Sequence, residues 1–345
     1  GHFRFTANGE TVVRLEERLG YVHKGIESLL AGAPIDRAAK LAGRVSGDST
    51  VAYATAFARA VEAALEIAVP DRAHRLRAIM GELERIANHF GDIGAICNDA
   101  SFSLMHAHCG ALRERVLRCA DTCFGHRLMM DRVVPGGVTQ DLDAAAKSQL
   151  QELIGDVRRH FPELVNLYDN TASLQDRTVT TGILKPELAT RFGASGYVGR
   201  ASGRRCDARR WPGYAPYASL AFEIPKRVEG DVDARVWIRI DEVTQSLGII
   251  EQCLDALPSG DISSPIPVGA VGAKGAEGVA LVEGFRGDIL AWVRLREGGI
   301  VARCHLRDPS WFQWPLLEAV IEGNIVADFP LCNKSFNCSY SGHDL

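Results

Sequence analysis

The feature that most constrains the fold is the long helical pattern that follows Pro70-Asp71. Its apolar residues recur at intervals of largely three or four positions: Leu76, Ile79, Leu83, Ile86 and Ile93. This spacing predicts a helix that begins with Asp71 as its N-cap and reaches about Ala95. A helix this long is stable only if its apolar stripe packs against other helices, so we expect a helical bundle.

The other predicted elements are further helices and a few short strands. Helical spacing recurs at Tyr21–Leu30, Val51–Ile67, Cys109–Met130, Leu142–His160 and Ala234–Leu257. The opening Phe3–Val13 alternates apolar and polar residues around Asn8-Gly9, which predicts a hairpin with a type I′ turn. Short antiparallel strands fit Gly278–Val282 and Ile289–Leu306, with Gly298-Gly299 as a turn.

We therefore expect a mainly α (α+β) fold, a bundle of long helices with small peripheral β-hairpins. The chain has no evident domain break, so a single domain is expected over residues 1–345. Its parts are an N-terminal hairpin at about 1–18, a helical core at about 19–258 and a β-containing C-terminal part at about 259–345. Two segments are typical of exposed loops: the Arg-rich Gly199–Arg210, and Gly260–Gly278, which is rich in Gly, Ala and Pro.

Composition excludes several classes of protein. A formal net charge of −4 and the lack of a binding motif argue against nucleic acid as a partner, despite the Arg-rich segment. The sequence offers no stretch of roughly 18 uncharged apolar residues for a spanning helix, and no nucleotide-binding glycine motif. Nine scattered cysteines suit a reducing cytoplasm. The chain opens without an initiator Met or a secretory signal, so we expect its numbering to start inside a longer chain.

Seven short segments, in order along nearly the whole chain, carry a family resemblance. They are Leu19–Glu27, Ala60–Glu62, Val69-Pro70, Glu82–His89, Val134–Val138, Arg200–Gly203 and Asp328–Leu331. Together they resemble the superfamily that unites nickel–iron hydrogenase large subunits with the large quinone-site subunit of respiratory complex I. His2–Phe5 brings the chain closest to the membrane-bound, energy-converting large subunits of the formate hydrogenlyase type.

The positions that hold the metal in active hydrogenases differ in this chain. The family's first Cys-Gly-x-Cys pair falls on Ser46 and Ser49, and its second pair falls at about Ser339 and Gly342. Thiolates bind nickel and iron because they are soft and readily deprotonated, whereas a serine hydroxyl is hard and stays protonated. The resemblance therefore predicts a hydrogenase frame that lacks the nickel–iron centre and hydrogenase activity.

Cys332 and Cys338 are the cysteines nearest the second pair. They are favoured as ordinary small buried residues. A separate metal site that uses both thiols together with His343 is the alternative. The clustered His106, His108 and Cys109 do not suit joint ligation, because residues two apart on a helix point in different directions.

The complex I branch of the superfamily suggests further pocket positions. Lys24 stands where complex I has an Arg near the neighbouring subunit's iron–sulfur cluster, and Arg200 is the best candidate for a cation at the pocket edge. A cluster-side His is replaced by Met129, and the quinone-site Tyr falls at about Gly47. Asp99 matches an acidic position beside the quinone pocket, although a helix-terminal Asp is also a common cap.

Asp48 is the ionisable side chain within the serine-substituted motif. If burial raised its pKa, this carboxyl could accept or relay protons. The alternative is that Asp48 or Ser49 caps the helix that starts near Thr50. We name Asp48 and Asp99 as candidate catalytic residues, and Ser46, Ser49, Lys24 and Arg200 as candidate positions facing a cofactor or cluster.

The resemblance implies a subunit of a membrane-associated, complex-I-like oxidoreductase. Its expected partners are a small subunit with a [4Fe–4S] cluster, a small-domain subunit like that of complex I, and membrane subunits of an ion-pumping arm. The chain itself would hold no metal, and a quinone or another small acceptor would be reduced in its cavity. It would lie in the cytoplasm, peripheral on the inner face of the cell membrane. The competing hypothesis is a vestigial subunit that couples the cluster subunit to the membrane arm without catalysis.

Overall fold

The computed structural model describes residues 1–267, 269 and 275–345. Part of the predicted loop Gly260–Gly278 therefore lies outside the described residues. The described chain is mainly helical with three small antiparallel sheets, as predicted. Within these ranges, no helix is both long and apolar enough to cross a membrane.

The predicted N-terminal hairpin is confirmed, but its turn lies one residue further along. Strands β1 (His2–Asn8) and β2 (Thr11–Arg18) pair antiparallel, with Asn8 opposite Thr11. The two central turn residues are therefore Gly9 and Glu10, and of these only Gly9 has a positive φ, of 60°. A positive φ at the first central position alone is the type II′ arrangement, so the predicted type I′ turn is wrong.

Long helices form the core of the molecule. They are α3 (Thr50–Leu65), α4 (Asp71–Asp99), α5 (Ser103–Phe124), α6 (Ala144–Asn170) and α10 (Val232–Asp255). The apolar stripe predicted on α4 is buried throughout, and α4 packs mainly against α5 and α10. The predicted bundle of long helices is thus confirmed.

Several predicted helix ends were wrong for local reasons. Pro70 rather than Asp71 occupies the N-cap of α4. The predicted helix Tyr21–Leu30 begins only at Ile26, because Gly25 has a left-handed backbone with φ of 68°. Helix α5 starts earlier than predicted and stops at Phe124, since Gly125 also has a positive φ.

Short helices connect and cover the bundle. They are α1 (Ile26–Leu30), α2 (Ile35–Ala42), α7 (Ala172–Thr178), α8 (Pro186–Arg191), α9 (Gly196–Ala201), α11 (Ser310–Ile321), α12 (Phe329–Phe336) and α13 (Tyr340–Asp344). Strand β2 of the hairpin packs on α11. This arrangement brings the two ends of the described chain together.

Two further sheets complete the fold. Strands β3 (Val133–Val134) and β4 (Gly137–Val138) form a small hairpin. Strands β5 (Ala276–Gly284), β6 (Gly287–Arg296) and β7 (Ile300–Arg307) form an antiparallel sheet, and the predicted turn at Gly298-Gly299 joins the last two. Strands β5 and β6 pack against α3, and the turn between them lies close to the start of that helix, since Arg286 Nη1 donates to Ser49 Oγ at 3.2 Å.

Candidate functional site

The loop between α2 and α3, called the serine loop, carries Ser46 and Ser49, and neither side chain caps helix α3. Ser49 occupies the N-cap of α3, but its side chain makes no capping hydrogen bond. The buried Glu84 carboxylate instead accepts from the backbone N–H groups of Val51 at 2.7 Å and Ala52 at 3.1 Å. The alternative that Asp48 or Ser49 caps this helix by its side chain is therefore wrong.

The four positions that correspond to metal ligands lie together. Helix α13 brings the C-terminal pair to the serine loop, where Ser339 Oγ donates to Ser46 Oγ at 3.4 Å. The N–H of Gly342 donates to Ser339 Oγ at 2.8 Å. The structure therefore joins residues that are almost 300 positions apart, as the resemblance implied.

An ion pair occupies the space beside these serines. Arg286 donates to both carboxylate oxygens of Asp48, from Nη1 at 2.9 Å and from Nη2 at 2.5 Å, and its Nε donates to the carbonyl of Asn337. Ser46 Oγ donates to Asp48 Oδ1 at 2.5 Å, and Ser49 Oγ donates to the same atom at 3.2 Å. Arg286 is nearly buried, whereas the Asp48 side chain is 34% exposed.

This pairing sets the protonation of Asp48. Burial alone would raise the pKa of its carboxyl, but the Arg286 guanidinium and the serine hydroxyls hold that pKa well below its usual range. The carboxylate is therefore ionised at neutral pH. The proposed proton relay required a raised pKa, and this condition is not met.

Arg286 is a site residue that sequence reasoning missed. It is one of the two central residues of the β5–β6 turn, because Gly284 pairs with Gly287 across it. The turn packs tightly on α9, where a Cβ at Gly196 would lie 1.8 Å from the carbonyl oxygen of Arg286. The sequence contained only a weak indication that Arg286 belongs to the site: an arginine next to a glycine, between two predicted strands.

A buried carboxylate fills the space where a side chain at position 342 would project. A Cβ built on Gly342 would lie 2.3 Å from Asp308 Oδ2. That carboxylate is fixed, because Tyr53 Oη donates to Oδ2 at 2.5 Å and the N–H of Ser310 donates to Oδ1 at 2.8 Å. Position 342 therefore has no room for a cysteine side chain unless Asp308 moves.

Lys24 supports the serine loop directly. Its Nζ donates to the carbonyl of Arg44 at 2.8 Å and to that of Val45 at 2.6 Å, immediately before Ser46. The preceding residues bind the C-terminal helix, since the N–H of Val22 donates to the Asp344 carboxylate at 3.0 Å. Burial lowers the pKa of Lys24, although the residue lies at the surface. Lys24 therefore lies beside the serine loop, and its role as a cation facing a cluster stays a prediction.

Arg200 is not at the edge of this pocket. It is fully buried in an ion-pair cluster, where it reaches Glu242 at 2.6 Å and Glu283 at 2.8 Å. The prediction of an exposed Arg-rich loop at Gly199–Arg210 is wrong in the same way, because Arg209 is also buried, against Glu82 and Asp207. Carboxylates from distant parts of the chain neutralise these arginines, and local composition does not reveal them.

Asp99 is not brought to the serine loop. It is the last residue of α4, whereas the contact of α4 with the loop is at Asn88, whose Nδ2 donates to the carbonyl of Asp48 at 2.8 Å. At the rise of an α-helix, Asp99 lies about 16 Å further along the axis. The half-buried Asp99 carboxyl therefore lies in a different environment from that of Asp48.

The C-terminal cysteines lie in different surroundings. Cys332 is buried in α12 beside Gly182, whereas Cys338 Sγ faces the Gln313 amide oxygen at 3.9 Å. Burial raises the pKa of both thiols, so both are protonated at neutral pH. Among residues 1–267 and 275–345, no group of three or more His, Cys, Asp or Glu side chains is arranged to hold a metal ion.

Comparison with known proteins identifies relatives along the whole chain. Formate hydrogenlyase subunit 5 of Escherichia coli (strain K12) is 32% identical and covers all of this chain, which in turn spans 60% of that protein. The carbon monoxide-induced hydrogenase of Rhodospirillum rubrum is 30% identical over 97% of this chain and 92% of that protein. An NADH-quinone oxidoreductase subunit of Desulfotalea psychrophila is 32% identical, over 94% and 87% respectively.

Solved structures and family models agree with these relatives. A chain of the membrane-bound sulfane sulfur reductase, an archaeal respiratory membrane complex, superimposes with a TM-score of 0.93 at 26% identity. The match covers 99% of this chain and 94% of that one. The family model described as respiratory-chain NADH dehydrogenase, 49 Kd subunit, matches residues 99–274. The predicted resemblance is thus confirmed: the chain belongs to the family of the respiratory-chain NADH dehydrogenase 49 Kd subunit, together with its hydrogenase-like relatives.

Proposed function

We propose that this chain is the nickel-free large subunit of a membrane-associated, complex-I-like oxidoreductase. With an iron–sulfur small subunit it forms a cavity in which a quinone or another small electron acceptor is reduced. The serine loop, Asp48, Arg286 and the start of α13 form its side of that cavity.

The observation that carries this proposal is that the Asp308 carboxylate occupies the space into which a side chain at position 342 would project. A nickel–iron centre would need thiolates at the four corresponding positions, and three of these are the hydroxyl residues Ser46, Ser49 and Ser339. At the fourth, the Asp308 carboxylate stands 2.3 Å from where a Cβ would be. The residues present therefore do not fit a four-thiolate centre, and the Asp48–Arg286 pair fills part of the same region with fixed charges.

The Asp48–Arg286 pair gives the site a chemistry suited to the reduction of a bound electron acceptor. A quinone or similar acceptor gains negative charge as it is reduced, and a fixed guanidinium stabilises that charge where it develops. Asp48 orients Arg286 by its bidentate contact, at 2.9 and 2.5 Å. By the resemblance, Gly47 stands at about the position where complex I has its quinone-site Tyr. Because that contact to a quinone is missing, we do not limit the proposed acceptor to quinone. The structural neighbour is a sulfane sulfur reductase, which makes polysulfide a second acceptor to test.

The surface beside the site supports a partner subunit. Tyr21 is 70% exposed, and Val22 and Leu29 are also exposed, next to the segment that binds Asp344 and the serine loop. Exposed apolar side chains grouped in this way mark interfaces. We assign this patch to the iron–sulfur subunit with its [4Fe–4S] cluster. The family segment Val134–Val138 is mostly buried in this chain, so we do not assign it to this interface.

The remaining assembly is proposed from the resemblance to the family. A small-domain subunit like that of complex I and membrane subunits of an ion-pumping arm complete the complex in this proposal. The chain would then lie on the cytoplasmic side, peripheral to the cell membrane.

The test compares acceptor reduction by the intact complex with that of Asp48→Asn. Asparagine keeps an oxygen for the Ser46 hydroxyl but removes the charge that holds Arg286. We expect the rate to fall by about tenfold or more, a modest value for loss of a preorganised electrostatic contact. Asp169→Asn, on an exposed part of α6, is the matched control. Asp99→Asn tests the other candidate carboxylate and should run at the wild-type rate.

The competing hypothesis predicts a different result. If the subunit only couples its neighbours, Asp48→Asn assembles normally and electron transfer through the complex is unchanged. That outcome would replace the catalytic proposal with the structural one.

A further inference from the structure

Seven charged side chains form one buried cluster behind the Asp48–Arg286 pair. They are Glu82, Arg85, Arg200, Asp207, Arg209, Glu242 and Glu283, and each is at most 5% exposed. Ion pairs connect them: Arg200 joins Glu242 to Glu283, Arg209 joins Glu82 to Asp207, and Arg85 lies between Glu82 and Glu242. The cluster contacts the strand that leads to Arg286, because the Arg85 guanidinium donates to the backbone carbonyls of Glu283 and Gly284.

The charges of this cluster do not balance. Glu82, Asp207, Glu242 and Glu283 are four carboxylates, whereas Arg85, Arg200 and Arg209 are three guanidiniums. An uncompensated charge in the interior is costly, so the cluster needs one bound proton to be neutral. The fully buried His89 adjoins it, with Nε2 at 2.7 Å from Glu242, and no hydrogen-bond partner for its Nδ1 is found among the described residues.

Glu283 is the best location for that proton. Burial and the neighbouring Asp207 carboxylate raise the pKa of Glu283, whereas burial lowers the pKa of His89. The ionisable groups around Glu283 are Arg85 on α4, Arg200 on α9, Arg204, Cys206, Asp207, Arg209 and Tyr214 on the following loop, and Asp288 on β6. Among these groups, Arg204 and Asp288 carry opposite charges.

The cluster is reached from outside through a groove. This groove has a volume of about 190 Å³ and is lined by Asp207 and Glu283, together with Cys206, Trp211 and Asp288. It therefore offers water a way to the two carboxylates. Protons can be exchanged with solvent at this end of the cluster.

A narrow cavity on the other side of the cluster reaches the first turn of α3, where Val51 and Ala52 line it. Its volume is about 20 Å³, and the space needed by one water is about 10–15 Å³. Tyr217, whose hydroxyl donates to Glu82 at 2.8 Å, lines this cavity, and so do Glu283 and Glu84. Glu84 holds the start of α3 beside Asp48, and burial raises the pKa of Glu84 to about 8.

We propose that this buried cluster is a proton-loading site, which takes a proton from the groove onto Glu283 and passes it by way of a cavity water and Glu84 to the acceptor site. The inference deepens the proposed function and rests on it. Reduction of a quinone to a quinol takes two electrons from the partner's iron–sulfur cluster and two protons. The buried cluster of charged side chains supplies these protons one at a time. Between transfers, Glu283 takes up a new proton from water in the groove.

Infrared spectroscopy of the intact complex tests whether the proton is held. A protonated buried carboxyl gives a C=O stretch that shifts in D₂O and disappears as the pH is raised through the pKa of the group. We expect a band that titrates near pH 7 in wild type and is lost in Glu283→Gln, whereas the band of Glu84, whose pKa is raised to about 8, is lost only in Glu84→Gln. Glutamine resembles the protonated carboxyl and leaves three acidic and three basic charges, so the variant is expected to fold. The control is Glu277→Gln, an exposed position on the same strand.

Acceptor reduction by the same variants tests delivery. Glu283→Gln and Glu84→Gln should each lower the rate by about tenfold or more, while Glu277→Gln should not. A wild-type complex without a band that titrates near pH 7, or persistence of that band in Glu283→Gln, overturns the inference; the wild-type titration decides the first point even if the variant fails to assemble. Loss of the band with an unchanged rate refutes delivery. A wild-type complex that has the band but reduces no acceptor refutes the proposed function and leaves the bound proton established.

Discussion

Replacing Gly342 by alanine places a methyl group where the Asp308 carboxylate stands. The new Cβ would lie 2.3 Å from Oδ2 and 2.6 Å from Cγ of Asp308, and 3.0 Å from Ser339 Oγ. Asp308 is 1% exposed and cannot turn away without breaking its bonds to Tyr53 and Ser310. Overpacking of this kind costs about 1–3 kcal/mol, and the helix propensity of alanine returns up to about 1 kcal/mol. We expect a net loss of about 1–2 kcal/mol in local stability.

Hydrogen exchange of the intact complex measures this loss directly. The N–H of Ser339 donates to Ser310 Oγ and that of Gly342 to Ser339 Oγ, both at 2.8 Å, so these amides report on the site. A loss of 1–2 kcal/mol corresponds to exchange about 5–30 times faster. Gly155→Ala is the matched control, because that helical glycine has nothing within 4 Å of its Cβ, and local stability there should rise slightly.

A second change tests the cause. Asp308→Ala removes the obstructing oxygens, so Gly342→Ala should cost less in that background than in wild type, with a coupling of about 0.5–3 kcal/mol. If Gly342→Ala exchanged as slowly as wild type, Asp308 would not fill the fourth ligand position, and position 342 would have room for a cysteine side chain.

Two further predictions concern stability and assembly. The raised pKa of Glu283 stabilises the fold fully below pH about 4.5, and this contribution, at most about 3 kcal/mol, is lost as the pH rises through about 7. Exchange of β5 amides, corrected for intrinsic rates, should therefore quicken between pH 5 and 8 in wild type but not in Glu283→Gln; equal behaviour would contradict the shift. Tyr21→Ser should weaken co-purification of an iron–sulfur subunit, and Val179→Ser, at an exposed site on another part of the chain, should not. Unaltered co-purification of Tyr21→Ser would place the interface elsewhere.

The long helices were predictable because burial imposes a period on the sequence. Leu76, Ile79, Leu83 and Ile86 are all buried on α4, and their spacing alone predicted that helix. Helix ends were harder, because they depend on single residues: a positive φ at Gly25 delays the start of α1, and a positive φ at Gly125 ends α5.

The site was only partly predictable from the sequence. The family resemblance brought together Ser46, Ser49 and Ser339, which lie at opposite ends of the chain. It could not reveal that Arg286, which is 238 residues from Asp48, binds its carboxylate. Nor could composition show that Arg200 is buried, because its partners Glu242 and Glu283 come from two other elements. Contacts that depend on charge pairing across the fold leave no local pattern.

The most direct test of the central claim is the nickel content of the intact complex, measured by elemental analysis per copy of this chain. The account predicts far less than one nickel per chain, since Ser46, Ser49, Ser339 and Gly342 supply no thiolate and Asp308 fills the fourth position. Iron should match the iron–sulfur clusters of the partner subunits alone. About one nickel per chain, accompanied by hydrogen uptake or evolution, would contradict the account.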